Sequence, residues 1–137
     1  MINAYINYTL IQDGVKSENS LTGKFEKVNN LYRVTFEIDS DGVKTNHSYV
    51  KLSNNSFKIS VKGDSEYSLR VQEGESGMAT LKSSQIEMPF TTYTKVCEVT
   101  ADESGMKFYA EYDITIYNQI VKNKLMLVVS KIGDLKC

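Results

Sequence analysis

The stretch MKFYAEYDITIY, residues 106–117, decides the fold. Met106, Phe108, Ala110, Tyr112, Ile114 and Ile116 occupy every second position, with mostly polar residues between them. A strand turns successive side chains to opposite faces of a sheet, so this stretch asks for one face in an apolar core and the other in water. The same period of two runs through Ile2, Ala4, Ile6, Tyr8 and Leu10, and through Tyr32, Val34, Phe36 and Ile38. It returns at Phe57, Ile59 and Val61, and at Tyr67, Leu69 and Val71.

Turn formers separate these runs: Asp13-Gly14, Asn29-Asn30, Asp41-Gly42, Asn54-Asn55, Gly63-Asp64, Gly74 to Gly77, and Ser104-Gly105. Asn, Asp and Gly tolerate the positive φ that tight hairpins need, so each pair marks a strand reversal. The short spacing suits antiparallel strands joined up-and-down and leaves no room for crossover helices. No segment shows apolar residues at helical steps over three turns. Leu125 to Val129 is apolar on both faces, which predicts a strand buried on two sides or covered by a partner.

The 137 residues make one domain, residues 1–137, large enough to bury a core without a disulfide. About ten strands in one open sheet would leave long edges and an uncovered face. The expected fold is therefore all-β: a single antiparallel up-and-down β-barrel of about eight to ten strands, with a β-sandwich as the alternative.

Sixteen basic and seventeen acidic residues give a net charge of −1, and neither sign forms a run. That balance argues against nucleic acid as a partner. No apolar run is long enough to span a bilayer, so no membrane partner is expected. The amino terminus enters its strand pattern at once, without the features of a signal peptide. Cys97 and Cys137 then read as free thiols in a reducing cytoplasm. Asn-x-Ser/Thr triplets begin at Asn7, Asn46 and Asn54, and in such a chain they are chance matches.

A catalytic reading finds little to stand on. His47 is the single histidine, and Cys97 sits in Lys-Val-Cys-Glu-Val without the context that activates a nucleophile, so both read as structural. No spaced His/Cys set suggests zinc, and Thr100 to Met106 does not supply the alternating oxygen ligands of a calcium loop. The stretch Gly74 to Gly77 precedes no helix that would cradle a phosphate. Glu111 and Asp113 share one strand face at a separation glycosidases use, but lie opposite the apolar face and so point to water. No enzyme activity, cofactor or metal is expected. Arg33 and Arg70 each sit mid-strand among polar positions, either orienting an anionic group or pairing with a carboxylate across strands. Pro89 belongs at a bulge, a strand start or an edge.

The carboxyl-terminal half carries a resemblance. Leu-Lys-Ser-Ser from Leu81, Thr94-Lys95, Asp102-Glu103 and Glu-Tyr-Asp-Ile from Glu111 fall in an order similar to that of the YwiB-like family, DUF1934. Lys62-Gly63, Leu69-Arg70-Val71 and Gly74 also resemble its pattern. The similarity covers residues 59–130, while the first half matches in strand rhythm alone. Leu81 and Ile86 depart from the family, which tends to have Tyr and Gly there. The resemblance implies a lipocalin-like or calycin-like barrel in the bacterial cytoplasm, and it carries over no catalytic residue.

Two functional readings follow. In the first, the barrel interior binds a small hydrophobic or amphipathic molecule among Tyr8, Tyr32, Phe36, Tyr67, Phe108 and Tyr112, with Arg33 and Arg70 as candidate polar contacts. In the second, the outer surface mediates assembly, most simply a homodimer, through Leu125 to Val129 and the outward Tyr5, Tyr109 and Tyr117.

Overall fold

The computed structural model describes residues 2–132. Ten strands follow one another: β1 (Ile2–Gln12), β2 (Val15–Val28), β3 (Leu31–Ser40), β4 (Val43–Ser53), β5 (Ser56–Lys62), β6 (Ser65–Gln72), β7 (Ser76–Ser83), β8 (Glu87–Asp102), β9 (Gly105–Ile116) and β10 (Gln119–Lys131). Each pairs antiparallel with the next, and β1 also pairs with β10, so the sheet closes on itself. Closure leaves no free edge strand, which is why the barrel rather than the sandwich satisfies this chain.

Four hairpins turn on two residues that both hold positive φ: Asp13-Gly14, Asn29-Asn30, Asp41-Gly42 and Tyr117-Asn118. The twist of that turn matches the twist of paired strands. The last turn has no counterpart among the expected reversals, because Tyr117 is not a turn former. Expected turns also shift. Gly77 lies inside β7, and β8 continues through Asp102, whose carboxylate accepts hydrogen bonds from the Ser104 amide and hydroxyl.

The expected apolar faces point inward. Ile6, Tyr49, Phe57, Phe108, Leu125 and Leu127 are among the most deeply buried side chains. Tyr49 is packed between Phe36, Phe57 and Phe108 at ring-centroid distances of 5.7, 6.0 and 5.7 Å. Leu125, Leu127 and Val129 are buried, whereas Met126 is 41% exposed and Val128 half-buried, so β10 is apolar on both faces but its outer face is uncovered within the chain.

Local irregularities let the wall bend. Gly23 faces inward opposite Ala4 and Phe36. A methyl group there would collide with the Thr35 carbonyl oxygen and lie 2.6 Å from Ile6 Cδ1 and 2.9 Å from Phe36 Cβ, so only glycine permits this approach. The β8–β9 register shifts between Thr94 and Val96. Pro89 is near the start of β8, paired with Thr80 of β7, before the ladder to β9 begins at Thr91. Its missing N–H thus falls where β8 has no β9 partner, as expected.

The two ends of the barrel differ. At the end holding the β2–β3, β4–β5 and β6–β7 turns, backbone hydrogen bonds draw the chain across the opening. The Val99 amide donates to the Asn54 carbonyl at 2.9 Å, the Gly74 amide to Thr94 at 2.8 Å, and the Cys97 amide to the Glu73 carboxylate at 3.1 Å. Phe25, Val34, Phe57, Val71, Val99 and Met106 are fully buried beneath them. At the opposite end no such bonds cross between non-neighbouring strands among the described residues.

Candidate functional site

The open end is built from the inward faces of all ten strands as they approach the Asp13-Gly14, Asp41-Gly42, Gly63-Asp64 and Tyr117-Asn118 turns. Its rim is aliphatic. Leu10, Leu21, Ile38, Leu81, Ile114 and Ile116 pack on the core but stay half-exposed. Val15, Val43, Ile86, Tyr117 and Ile120, all on turns or strand ends at this mouth, are exposed apolar side chains. Exposed apolar side chains gathered at one end of a barrel are a candidate contact surface.

Beneath the rim lies a floor of hydroxyls and rings. Tyr8, Tyr49, Tyr67 and Tyr112 lie within electrostatic reach of one another. Burial raises the phenol pKa of all four, that of Tyr67 to about 12, so the floor presents neutral hydroxyls at physiological pH. His47 stacks on Phe36 and accepts or donates at 2.9 Å with Thr45 Oγ1, while its Nδ1 is buried without a partner. Burial pulls the imidazole pKa down to about 4, which keeps it uncharged. Buried Asn123, held by Gln12 at 3.0 Å and by the Val121 carbonyl at 3.1 Å, completes the polar set with Thr92 and Thr94. The alternation places no Asp, Glu, Lys or Arg on the inward positions of this half.

The expected site residues divide among four places. Tyr8, Phe36, Tyr67 and Tyr112 come together at this floor. Phe108 is fully buried deeper in the core against Phe57 and Tyr49. Tyr32 stacks on Phe25 near the closed end, with Lys27 Nζ 5.3 Å above its ring. Arg33 and Arg70 are on the outer wall and take no part in the interior, because they occupy the out-facing phase of β3 and β6. Arg33 is ion-paired with Glu26. Tyr49 and the aliphatic rim are not among the residues expected at a site from the sequence. Tyr49 belongs to Thr45-Asn-His-Ser-Tyr, whose inward side chains are polar at two of three positions and so hide the alternation.

The Cys97 thiol is buried and its pKa is pushed up to about 12, chiefly by desolvation. Glu111 and Asp113 face outward, where Glu111 accepts a hydrogen bond from Tyr109 at 2.6 Å and Asp113 lies 3.6 Å from Lys95 Nζ. Cys137 lies outside the described residues.

The sequence pattern of a family described as a domain of unknown function, DUF1934, matches residues 4–127. The chain belongs to the DUF1934 family. Membership extends into the first half, further than the residues that carried the resemblance. The crystal structure of the ywiB protein from Bacillus subtilis is similar to this one, with a TM-score of 0.78 at 19% identity, covering 96% of this chain and 92% of that one. At that identity the likeness shows the fold alone. No curated protein matches the chain.

Proposed function

We propose that the open end of the barrel binds a small, uncharged amphipathic molecule without transforming it. The half-exposed aliphatic rim above a floor of neutral hydroxyls carries this reading. An apolar body would shed water against Leu10, Ile38, Leu81, Ile114 and Ile116, which is the dominant favourable term for such a ligand. A hydroxyl or carbonyl on the ligand would meet Tyr8 or Tyr67. A carboxylate would meet no cation there, so a neutral head is favoured over an ionised one. The neutral, buried His47 and the protonated Cys97 thiol support binding over catalysis. The outer wall is mostly charged and polar around an apolar interior, the reverse of a membrane-spanning barrel, which supports a water-facing wall.

Native mass spectrometry of protein purified gently from its own host tests the reading. The expected result is an extra mass that disappears on unfolding and is missing from an Ile116→Lys variant of unchanged fold. A bare mass in wild type, together with no binding of a neutral fluorescent apolar dye that the Ile116→Lys change abolishes, rules it out.

A second reading rests on the outer face of β10. Met126 stands directly between Thr9 and Tyr109 in the register, and Val128 is adjacent on the same face. That uncovered patch favours a homodimer through β10. The same mass spectrum would then show two subunits in wild type and one in Met126→Lys.

A further inference from the structure

The barrel wall has one incomplete ladder. β6 and β7 are registered only at Ser65 with Ser83 and Glu66 with Lys82, next to the open end. Every other ladder holds six pairs or more. Each of the two strands is fully bound on its other side: β6 pairs with β5 from Glu66 to Gln72, and β7 with β8 from Ser76 to Lys82. At the closed end, the turn between them is fastened to β8, the Gly74 amide donating to the Thr94 carbonyl at 2.8 Å and the Thr94 amide to the Glu75 carbonyl at 3.1 Å. The Glu75 amide reaches back to the Gln72 carbonyl at 3.1 Å. Between these ties, Tyr67 to Gln72 and Ser76 to Leu81 have no register partners in each other. The wall is one ten-stranded sheet whose two edges leave a seam of about 20 Å, six residues at the rise of a strand.

The first positions left unpaired belong to the site at the open end. Continuing the register beyond Glu66 and Lys82 would set Tyr67 of the floor against Leu81 of the rim. Side chains rather than a ladder hold the seam there. The Tyr67 ring reaches past β7 to meet Phe90 of β8 edge-on, with centroids 6.1 Å apart and planes at 82°. Small residues on β7 make this possible: Ala79 is the register partner of Phe90, and Gly77 that of Thr92. On the outer wall a depression of about 380 Å³ lies over the seam, with Ser68 and Thr80 on its two sides and Glu66 and Lys82 at the tie.

We propose that the β6–β7 seam is a side port through which the amphipathic ligand enters and leaves the lumen, with the contact between Tyr67 and Phe90 as its latch. The port rests on the reading of the open end as a ligand site. A segment held by few ladder hydrogen bonds opens locally at lower free energy than a fully paired wall. Parting β6 from β7 at the mouth breaks two residue pairs and one aromatic contact, whereas parting any other neighbours breaks at least six pairs. In many proteins the opening of such a segment, rather than the contacts inside, sets the rate of ligand exchange.

Stopped-flow exchange of a neutral fluorescent apolar dye tests the port in a Ser68→Cys/Thr80→Cys variant that also carries Cys137→Ser. A short bis-maleimide joins the two thiols across the seam, and the added mass reports the bridge. The bridged protein should take up and release dye about tenfold more slowly than the same variant unbridged. A bridge between Thr35→Cys and Ser48→Cys, opposed positions in the continuous β3–β4 ladder, should leave both rates unchanged. Phe90→Leu trims the latch without touching a ladder and should speed uptake and release; it decides the matter where no bridge forms. Dye binding whose rates respond equally to both bridges, or to neither bridge nor Phe90→Leu, overturns the port and leaves the lumen reading standing. Absence of dye binding in wild type overturns the lumen reading and the port together.

Discussion

His47 lies face to face with Phe36, ring centroids 5.1 Å apart and planes within 4° of parallel, and Phe36 carries Tyr49 in a second stack at 5.7 Å. The two residues are also direct partners in the β3–β4 register, so the sheet itself sets the overlap of the rings. An imidazole in that position is packed as an aromatic ring and pays for it in basicity.

The acid limb of stability should therefore carry a histidine signature. His47 titrates near its ordinary 6.5 when unfolded and at about 4 when folded, so the unfolded chain binds the extra proton first. Stability contributed by neutral His47 is complete above pH 6.5 and is lost as pH falls toward 4. Urea midpoints at pH 7.5, 5.5 and 4.5 should drop for wild type more steeply than for His47→Leu. Parallel slopes would show that the imidazole is accessible to protons in the folded state.

The tyrosine floor predicts the opposite behaviour in alkali. Tyr8, Tyr49, Tyr67 and Tyr112 all have phenol pKa values raised by burial, so the unfolded chain releases these protons first and stability falls as pH rises above 10. Ultraviolet titration should show these four ionising together with loss of near-ultraviolet circular dichroism. Reversible ionisation of all nine tyrosines in folded protein would mean that the floor is wet.

Gly23→Ala should destabilise the barrel by about 3 kcal/mol, the upper end for overpacking, because the added methyl meets the Thr35 backbone oxygen, which cannot swing aside as a side chain can. Chemical denaturation reads the loss directly. A change within experimental error would show that β2 can shift against β3 at this point.

Tyr117 holds φ at 50° in the β9–β10 turn, a conformation that costs a bulky residue more than Asn or Gly. Tyr117→Asn should raise stability by about 1 kcal/mol with an unchanged urea m value. If it also weakens ligand uptake at the open end, the exposed ring contributes to the proposed apolar crown; a gain in stability with no such loss assigns Tyr117 to the turn alone.

Much of this protein was legible in its residues. Strict alternation in residues 106–117 and 2–10 identified the inward faces, because a strand allows a side chain only two directions. Asp13-Gly14, Asn29-Asn30 and Asp41-Gly42 marked hairpins through a local backbone requirement that needs no tertiary context. Closure was inferable too, since ten up-and-down strands have few other ways to hide their edges. What alternation leaves open is position along the barrel axis. Tyr8 and Tyr32 have the same local pattern, yet one reaches the open-end floor and the other stacks near the closed end, because strand direction and register set the height of each. The stacking of His47 on Phe36 likewise arises from pairing between different strands. Sequence alone determined which side chains face in and which face out. Only the closed, registered barrel decided which of them meet, because contacts across strands depend on hydrogen-bond register and on how the turns fold over one end.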